Sequence, residues 1–289
     1  ARASVGDIFV APTADEKLLR LNFTIHNPNK DVKNYNWNSL TFTGISVFFT
    51  PTPDYNACFL TLRAAALVPG ANRVVIRFTH PYSKDGSGLY RFTDPEDGRS
   101  YLYTDFEPYN HNRLFPSFDQ PNIKARYTTR VTVPADWHVV SVVAESGTQE
   151  NGSSRTWLFP ESPPISTYIF ALHAGQYRMW DANGGDIPLR LFARESLARY
   201  VNPDEWFLFT RQGFAFFERY FGSPYPFGKY DQLIVPHFNF GAMENVGAVT
   251  FTERFVHRGA VTREQRRRLA SVLLHEMAHM WFGDLVTMD

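Results

Sequence analysis

Up to about Trp180, apolar and polar residues alternate in short runs broken by turn-forming clusters. Runs of period two that are rich in β-branched and aromatic residues predict strands at 19–25, 40–49, 59–63, 73–79, 125–133 and 138–144. Alternation of this kind suits antiparallel sheets with one exposed face, and the proline-rich stretches 51–54 and 161–164 read as loops between them. The small, polar, glycine-rich stretch 181–186 is the best candidate boundary. It would divide the chain into a β-rich N-terminal domain, 1–185, and a second domain, 186–289. Beyond it the pattern changes. One further strand is followed by a long helix from about Pro203 to Tyr220, with Pro at its first position and Gly222 past its end. Strands are expected around 230–253, and then a last helix. From Leu269 to Gly283 that helix is apolar around nearly its whole circumference, which predicts burial. Its start is marked by Thr262 and Gln265, spaced as a capping box, with Glu264 in the first turn. No internal repeat or low-complexity tract interrupts the chain.

The few polar residues inside the last helix are Ser271, His275, Glu276 and His279. Two histidines four apart on a helix point the same way, one turn above the other. Their ring nitrogens can share one zinc ion while the intervening glutamate reaches a water on that ion. The plainer reading is a pair of core histidines beside a buried glutamate. An unpartnered buried carboxylate costs several kcal/mol, roughly, so Glu276 is expected to be paired, protonated or facing a wet cleft. A hydrolytic zinc site needs three protein ligands, and this segment supplies two. Asp284, the one carboxylate close behind, is expected to point elsewhere on the helix. The run Arg266-Arg267-Arg268 reads as a solvated face.

Charge and composition narrow the alternatives. With 29 basic and 29 acidic residues the formal charge is zero, which offers nothing to nucleic acid or an anionic membrane surface. No apolar run approaches the ~20 residues of a membrane span. The single cysteine, Cys58, excludes an internal disulfide and fits a reducing compartment, so a cytoplasmic location is expected. The chain starts without an initiator Met or signal peptide, and its N-terminus reads as trimmed.

Thirty-odd residues before the histidines lies Gly241-Ala242-Met243-Glu244-Asn245, by itself a glycine-started turn or edge strand. The order of this GAMEN segment and the HExxH helix, and their separation, resemble the aminopeptidase N-like family of zinc metallopeptidases. Phe221-Gly222-Ser223-Pro224-Tyr225-Pro226-Phe227 before GAMEN resembles family segments too, as do Trp281-Phe282-Gly283-Asp284-Leu285-Val286-Thr287, Pro81-Tyr82-Ser83-Lys84-Asp85-Gly86 and Phe118-Asp119-Gln120-Pro121. The likeness runs from about Phe59 to the end.

The resemblance implies a β-rich N-terminal domain of saddle or sandwich form, followed by the first part of a thermolysin-like α+β catalytic domain. It implies zinc as cofactor, with His275 and His279 as two ligands and Glu276 as general base. A third ligand, a Glu, and an oxyanion-stabilising Tyr would lie past Asp289, so the missing C-terminal region of the same protein is an expected partner. Glu244 is implied to bind the free α-ammonium of a peptide, with Glu107 as the second such carboxylate. Gly241, Ala242, Met243 and Asn245 complete the expected substrate-binding set, with the small residues allowing close approach of the substrate backbone. The implied activity is release of single N-terminal residues from peptides, with residues 1–289 alone expected to bind zinc weakly and hydrolyse nothing measurable. Two other readings remain. An aminopeptidase with epoxide-hydrolase activity resembles GGMEN and carries Gln in place of Glu107, so Ala242 and Glu107 argue against it. A non-catalytic binding scaffold is disfavoured by retention of His275, Glu276 and His279.

Overall fold

The computed structural model describes residues 80–287 and, before them, the backbone of 2–10, 19–26, 54–55, 60–61 and 75–78. The strand expected at 40–49, and Cys58, lie outside the described residues. The first part of the chain is built of β1 (Arg2–Val10), β2 (Leu19–His26), β3 (Asp54–Tyr55), β4 (Leu60–Thr61), β5 (Val75–Phe78), β6 (Gly88–Thr93), β7 (Ser100–Asp105), β8 (Thr129–Pro134), β9 (His138–Ser141), β10 (Gly147–Asn151), β11 (Ser154–Phe159) and β12 (Leu172–Gly175). These strands make a six-stranded sheet in the order β10-β11-β8-β1-β2-β5, a four-stranded sheet β6-β7-β12-β9, and the small pair β3-β4. Pairing is antiparallel except between β1 and β8, which run parallel with Ile8 opposite Val131. The expected alternation is visible in β8, where Thr129, Val131 and Val133 are buried and Arg130 is exposed. By contrast β7 is buried at every position, because both of its faces are covered.

The second part begins with β13 (Arg178–Gly184) and β14 (Ile187–Ala193), followed by α1 (Glu195–Ala198), α2 (Pro203–Phe221), β15 (Tyr230–Val235), β16 (Ala242–Met243), β17 (Ala248–Thr252) and α3 (Arg263–His279). Its sheet runs β13-β14-β15-β17-β16, with a parallel centre and antiparallel edges. Alternate residues of β14, β15 and β17 face two different cores. Leu189, Leu191, Ile234, Val249 and Phe251 pack under α2 and α3, around Trp206, Phe214, Leu273 and Met277. Phe192, Leu233, Val235 and Ala248 join the core of the N-terminal sheets, with Tyr101, Tyr103, Tyr127 and Phe170. The central sheet is therefore sandwiched, which is why β15 carries no exposed residue.

The boundary expected at 185 falls within the hairpin of β13 and β14. The glycine-rich stretch is the turn of the β13–β14 hairpin, with Gly184 opposite Ile187, and it lies inside one sheet. Its composition reports a tight turn, and the change of sheet comes earlier, between β12 and β13. The long helix matches expectation. Asn202 accepts the Glu205 N–H, Pro203 opens the helix, and Gly222 closes it in the left-handed conformation at φ 65°. Midway along α2, Gly213 lets α3 come close. A β-carbon there would sit 2.6 Å from the Met277 sulfur.

Candidate functional site

The capping box is present at the start of α3. Thr262 Oγ1 accepts the Gln265 N–H at 3.2 Å, and Gln265 Oε1 accepts the Thr262 N–H at 2.8 Å. Arg266, Arg267 and Arg268 are exposed, as a solvated face should be. Two features differ from the sequence reading. The helix ends at His279 instead of running through Gly283, and the chain then turns, with the Asp284 N–H donating to the His279 carbonyl at 3.0 Å. Its burial is one-sided, with Leu269, Leu273, Glu276 and Met277 covered and His275 facing out. The apolar ring of the sequence is thus covered on the sheet side only.

The two histidines meet as their spacing predicts. The His275 and His279 Nε2 atoms are 3.3 Å apart, and the rings stand nearly perpendicular. Two nitrogens sharing one tetrahedral zinc, at about 2.0–2.1 Å each, lie about 3.3–3.4 Å apart, so the pair fits that ion without rearrangement. The second ring is oriented by its other nitrogen, since His279 Nδ1 is 3.1 Å from the Phe282 carbonyl. A proton held at Nδ1 leaves the Nε2 lone pair free for a ligand.

Three carboxylates gather around this pair. Glu276 is 5 % exposed. Burial, then the nearby charges of Glu244 and Glu107, push its carboxyl up to about 8, and a cation bound alongside would pull it back. Glu244 Oε1 is 4.0 Å from His279 Nδ1. Glu244, Glu276 and His279 each offer a donor atom within 4.8 Å of the others, a second grouping able to hold a cation. His275 is not in that group and reaches the site through His279. Glu107, on the loop after β7, is raised by desolvation and by Glu244 and lowered by His279, so it senses the same cluster. Its loop is pinned by Asp119, which accepts from the Asn112 N–H and side-chain amide at 3.2 Å each and from the Thr167 hydroxyl at 2.8 Å.

The GAMEN segment forms β16 at the edge of the sheet. Ala242 pairs with Phe251 and Met243 with Thr250, and the Thr252 N–H donates to the Gly241 carbonyl. The two-residue period of a strand then sorts the side chains. Ala242 and Glu244 are half-buried, Ala242 against the core under α2 and α3, while Met243 and Asn245 are turned into the interior. Asn245 donates to Thr250 Oγ1 at 3.0 Å. From Met243 and Asn245 a substrate could therefore meet only backbone.

Tyr168 was missed at the sequence level, and Asp284 was noted there as the one nearby carboxylate, expected to point elsewhere on the helix. Asp284 is 1 % exposed with neither carboxyl oxygen partnered among the described residues, and burial and Glu244 hold it well above the usual carboxylate range. Tyr168 is half-buried, with its hydroxyl raised by burial and by the charges of Glu244, Asp284 and Glu107. A β-carbon on Gly283, at φ 125°, would meet both His279 Nδ1 at 3.2 Å and the Tyr168 hydroxyl at 3.7 Å, so this glycine keeps the space between them open. Tyr168 sits in an unremarkable run, Ser166-Thr167-Tyr168-Ile169, which carries no signal of its role.

Comparison with known proteins matches two family models to separate stretches of the chain. The Peptidase M1 N-terminal domain matches residues 22–169, and the Peptidase family M1 domain matches 208–289. The chain is 44 % identical over 227 residues to Aminopeptidase N of Streptomyces lividans, covering 77 % of this chain and 26 % of that protein. It is 32 % identical over 225 residues to Aminopeptidase 2 of Candida albicans, with 75 % and 24 % covered. It is 35 % identical over 217 residues to human Glutamyl aminopeptidase, with 70 % and 22 % covered. The chain thus spans about a quarter of the length of these relatives.

Proposed function

The chain belongs to peptidase family M1, and from that membership we propose that it carries the amine-recognition and base machinery of a zinc-dependent aminopeptidase, which removes single residues from the free N-terminus of peptides. The observation that carries the reading is the convergence of Glu107, Glu244 and Glu276 on the His275–His279 pair. Carboxylates that raise one another's proton affinity are relieved either by protonation or by cations between them. A metal ion and a peptide ammonium are the two that this chemistry uses.

In this reading His275 and His279 hold the metal through Nε2, as their 3.3 Å separation supports. When bound, zinc supplies Lewis-acid polarisation of the scissile carbonyl and a water acidified to a pKa of about 7. Glu276, beside the histidines and shielded from bulk water, takes a proton from the attacking water and returns it to the leaving amine. Glu244 and Glu107 accept charge-assisted hydrogen bonds from the α-ammonium, roughly 1.5–3 kcal/mol each. These bonds fix the distance from the chain terminus to the reacting carbonyl. The free edge of β16 offers backbone groups to an extended peptide, in the manner of strand addition. Peptides with a free N-terminus are the proposed substrates. Among the described residues no helix is long and apolar enough to cross a membrane, and the lone Cys58 supports a reducing, cytoplasmic setting.

The test is a paired assay of the full-length protein on an aminoacyl chromogenic substrate and its N-acetylated form. Free-amine substrate should be favoured by at least about 100-fold, because acetylation leaves two carboxylates without their partner. Equal rates on the two would refute the assignment of Glu244 and Glu107.

A further inference from the structure

Glu244 is held in place by more than the strand it sits on. The residue before it, Met243, is in register with Thr250 of β17, and the residue after it, Asn245, donates its side-chain amide to the Thr250 hydroxyl at 3.0 Å. Thr250 thus grips the segment on both sides of Glu244, once through the ladder and once through Oγ1. Its hydroxyl is in turn met from the opposite sheet. His173, on β12 of the N-terminal part, lies with Nε2 3.0 Å from Thr250 Oγ1 and is completely buried. A second tie crosses the same boundary, where the Val246 N–H donates to the Ile169 carbonyl at 3.1 Å.

The chemistry of the three side chains gives the contact a direction. Thr250 Oγ1 has two lone pairs and one proton. It receives the Asn245 amide on a lone pair, which frees its own proton to point at an imidazole nitrogen. Burial pushes His173 down to about 3, so the ring is neutral at ordinary pH and has an unprotonated nitrogen to offer. Two atoms of the network have no partner among the described residues, His173 Nδ1 and Asn245 Oδ1. A histidine and an asparagine that leave buried polar atoms unmatched are poor choices for stability alone, since apolar residues of similar size would fill the space at lower cost.

We infer that His173 is a positioning residue for amine recognition, acting from the N-terminal part of the chain through Thr250 and Asn245 to fix Glu244 against the substrate's ammonium. This rests on the assignment of Glu244 as an amine anchor. The residue touches no substrate, and its effect belongs to ground-state and transition-state binding of the charged terminus, not to proton transfer.

The test compares inhibition of the full-length protein by an amino-acid hydroxamate and by its N-acetyl counterpart, so that the ratio of the two constants measures amine discrimination. His173→Phe keeps a ring but loses the acceptor, and Thr250→Val keeps the shape but loses the hydroxyl. Each should cut the ratio about tenfold, the effect of one misdirected hydrogen bond, while zinc content and binding of the N-acetyl hydroxamate stay near wild type. The double variant should fall no further than either single one, because both break the same link. An unchanged ratio in both folded variants, or an equal loss for the two hydroxamates, would overturn the proposal. Should His173→Phe not fold, His173→Gln, which places an amide near the Nε2 position, must restore wild-type discrimination, and a folded His173→Gln with a lowered ratio would be equally fatal. Glu244→Gln run in parallel separates the two levels. If it leaves the ratio intact, the amine-anchor reading itself is wrong. If it abolishes the ratio while His173→Phe and Thr250→Val preserve it, only the role of His173 fails.

Discussion

Asp105 lies two residues before Glu107, at the buried end of β7, with both carboxyl oxygens out of hydrogen-bonding geometry with any described group. Burial is the main cause of its raised affinity for a proton, to about 7, with the Glu107 N–H and Arg113 opposing it and the charges of Glu107 and Asp85 adding to it. In the unfolded chain the same carboxyl titrates near 3.9. Between about pH 4 and pH 7 the folded state holds a proton that the unfolded state has released, so raising the pH through this window withdraws stability. The contribution is fully present below about pH 4 and lost once the pH passes about 7. Three pKa units at about 1.4 kcal/mol each set the loss at roughly 4 kcal/mol. Asp105→Asn removes the titration. The amide still needs partners and shifts stability by a constant, so the diagnostic quantity is the slope. The stability of Asp105→Asn minus that of wild type, from urea denaturation at each pH unit from 4 to 8, should climb by about 4 kcal/mol and level off near pH 7. A difference that stays flat across this range would refute the reasoning. It would mean that Asp105 finds a donor in solution and ionises normally.

Two further changes probe the site and the scaffold. Glu276→Gln should retain the metal, measured by elemental analysis, and lower kcat by about 100- to 10,000-fold, because the proton acceptor is removed and the histidines remain; loss of metal in this variant would instead make Glu276 a ligand. Gly175→Ala should destabilise the protein by roughly 2–4 kcal/mol, read as a lowered thermal midpoint, because its β-carbon would fall 2.6 Å from the Ser100 carbonyl and 3.0 Å from the Tyr101 Cα, both fixed backbone of β7.

Local signals in the sequence were reliable where one element specifies itself. The α2 boundaries follow from Pro203 and Gly222, and the α3 start from Thr262 and Gln265, because caps are written in residues a few positions apart. The His275–His279 meeting follows from helical geometry alone. What stayed hidden depends on chain segments distant in sequence. The parallel pairing of β1 with β8 joins residues more than a hundred positions apart, and no pattern within either strand announces its partner. The stretch 181–186 is ambiguous by composition, because glycine and asparagine mark a tight turn inside a sheet as readily as a linker between domains. Tyr168 and His173 were invisible for the same reason. Each acquires its surroundings only when the N-terminal sheets pack against the GAMEN strand. Glu107 was singled out only through the family resemblance, since nothing in Thr104-Asp105-Phe106-Glu107-Pro108 distinguishes it from a surface carboxylate.

Because Glu107 and Glu244 come from opposite parts of the chain, their joint use requires that those parts not shift against each other. Two arginines hold that relation. Arg190 of β14 makes paired bonds to Asp231 at 2.8 and 2.7 Å and a third, at 2.8 Å, to Glu145 in the N-terminal part. Arg194 binds Glu253 through Nε at 2.6 Å and Asp94, in the turn between β6 and β7, through Nη1 at 2.8 Å. Ion pairs this deeply buried return little net stability, since desolvation offsets much of the attraction. Planar guanidinium forks do restrict direction, however, and each fork has carboxylates on both sides of the boundary. Lys229 adds to the first, donating to Asp231 and to the Gly247 carbonyl at 2.6 Å each. Gly247 is three residues past Glu244 and abuts the Val142 carbonyl so closely that a β-carbon would lie 3.0 Å from it. A displacement of the N-terminal sheets would therefore be felt at Gly247 and Val246 before it reached Glu244. The charge network, the Ile169–Val246 hydrogen bond and the His173–Thr250 contact act on one short stretch of backbone. In the proposed reading, that stretch sets how far the two carboxylates stand from the histidine pair, and hence which bond of a bound peptide would lie over it.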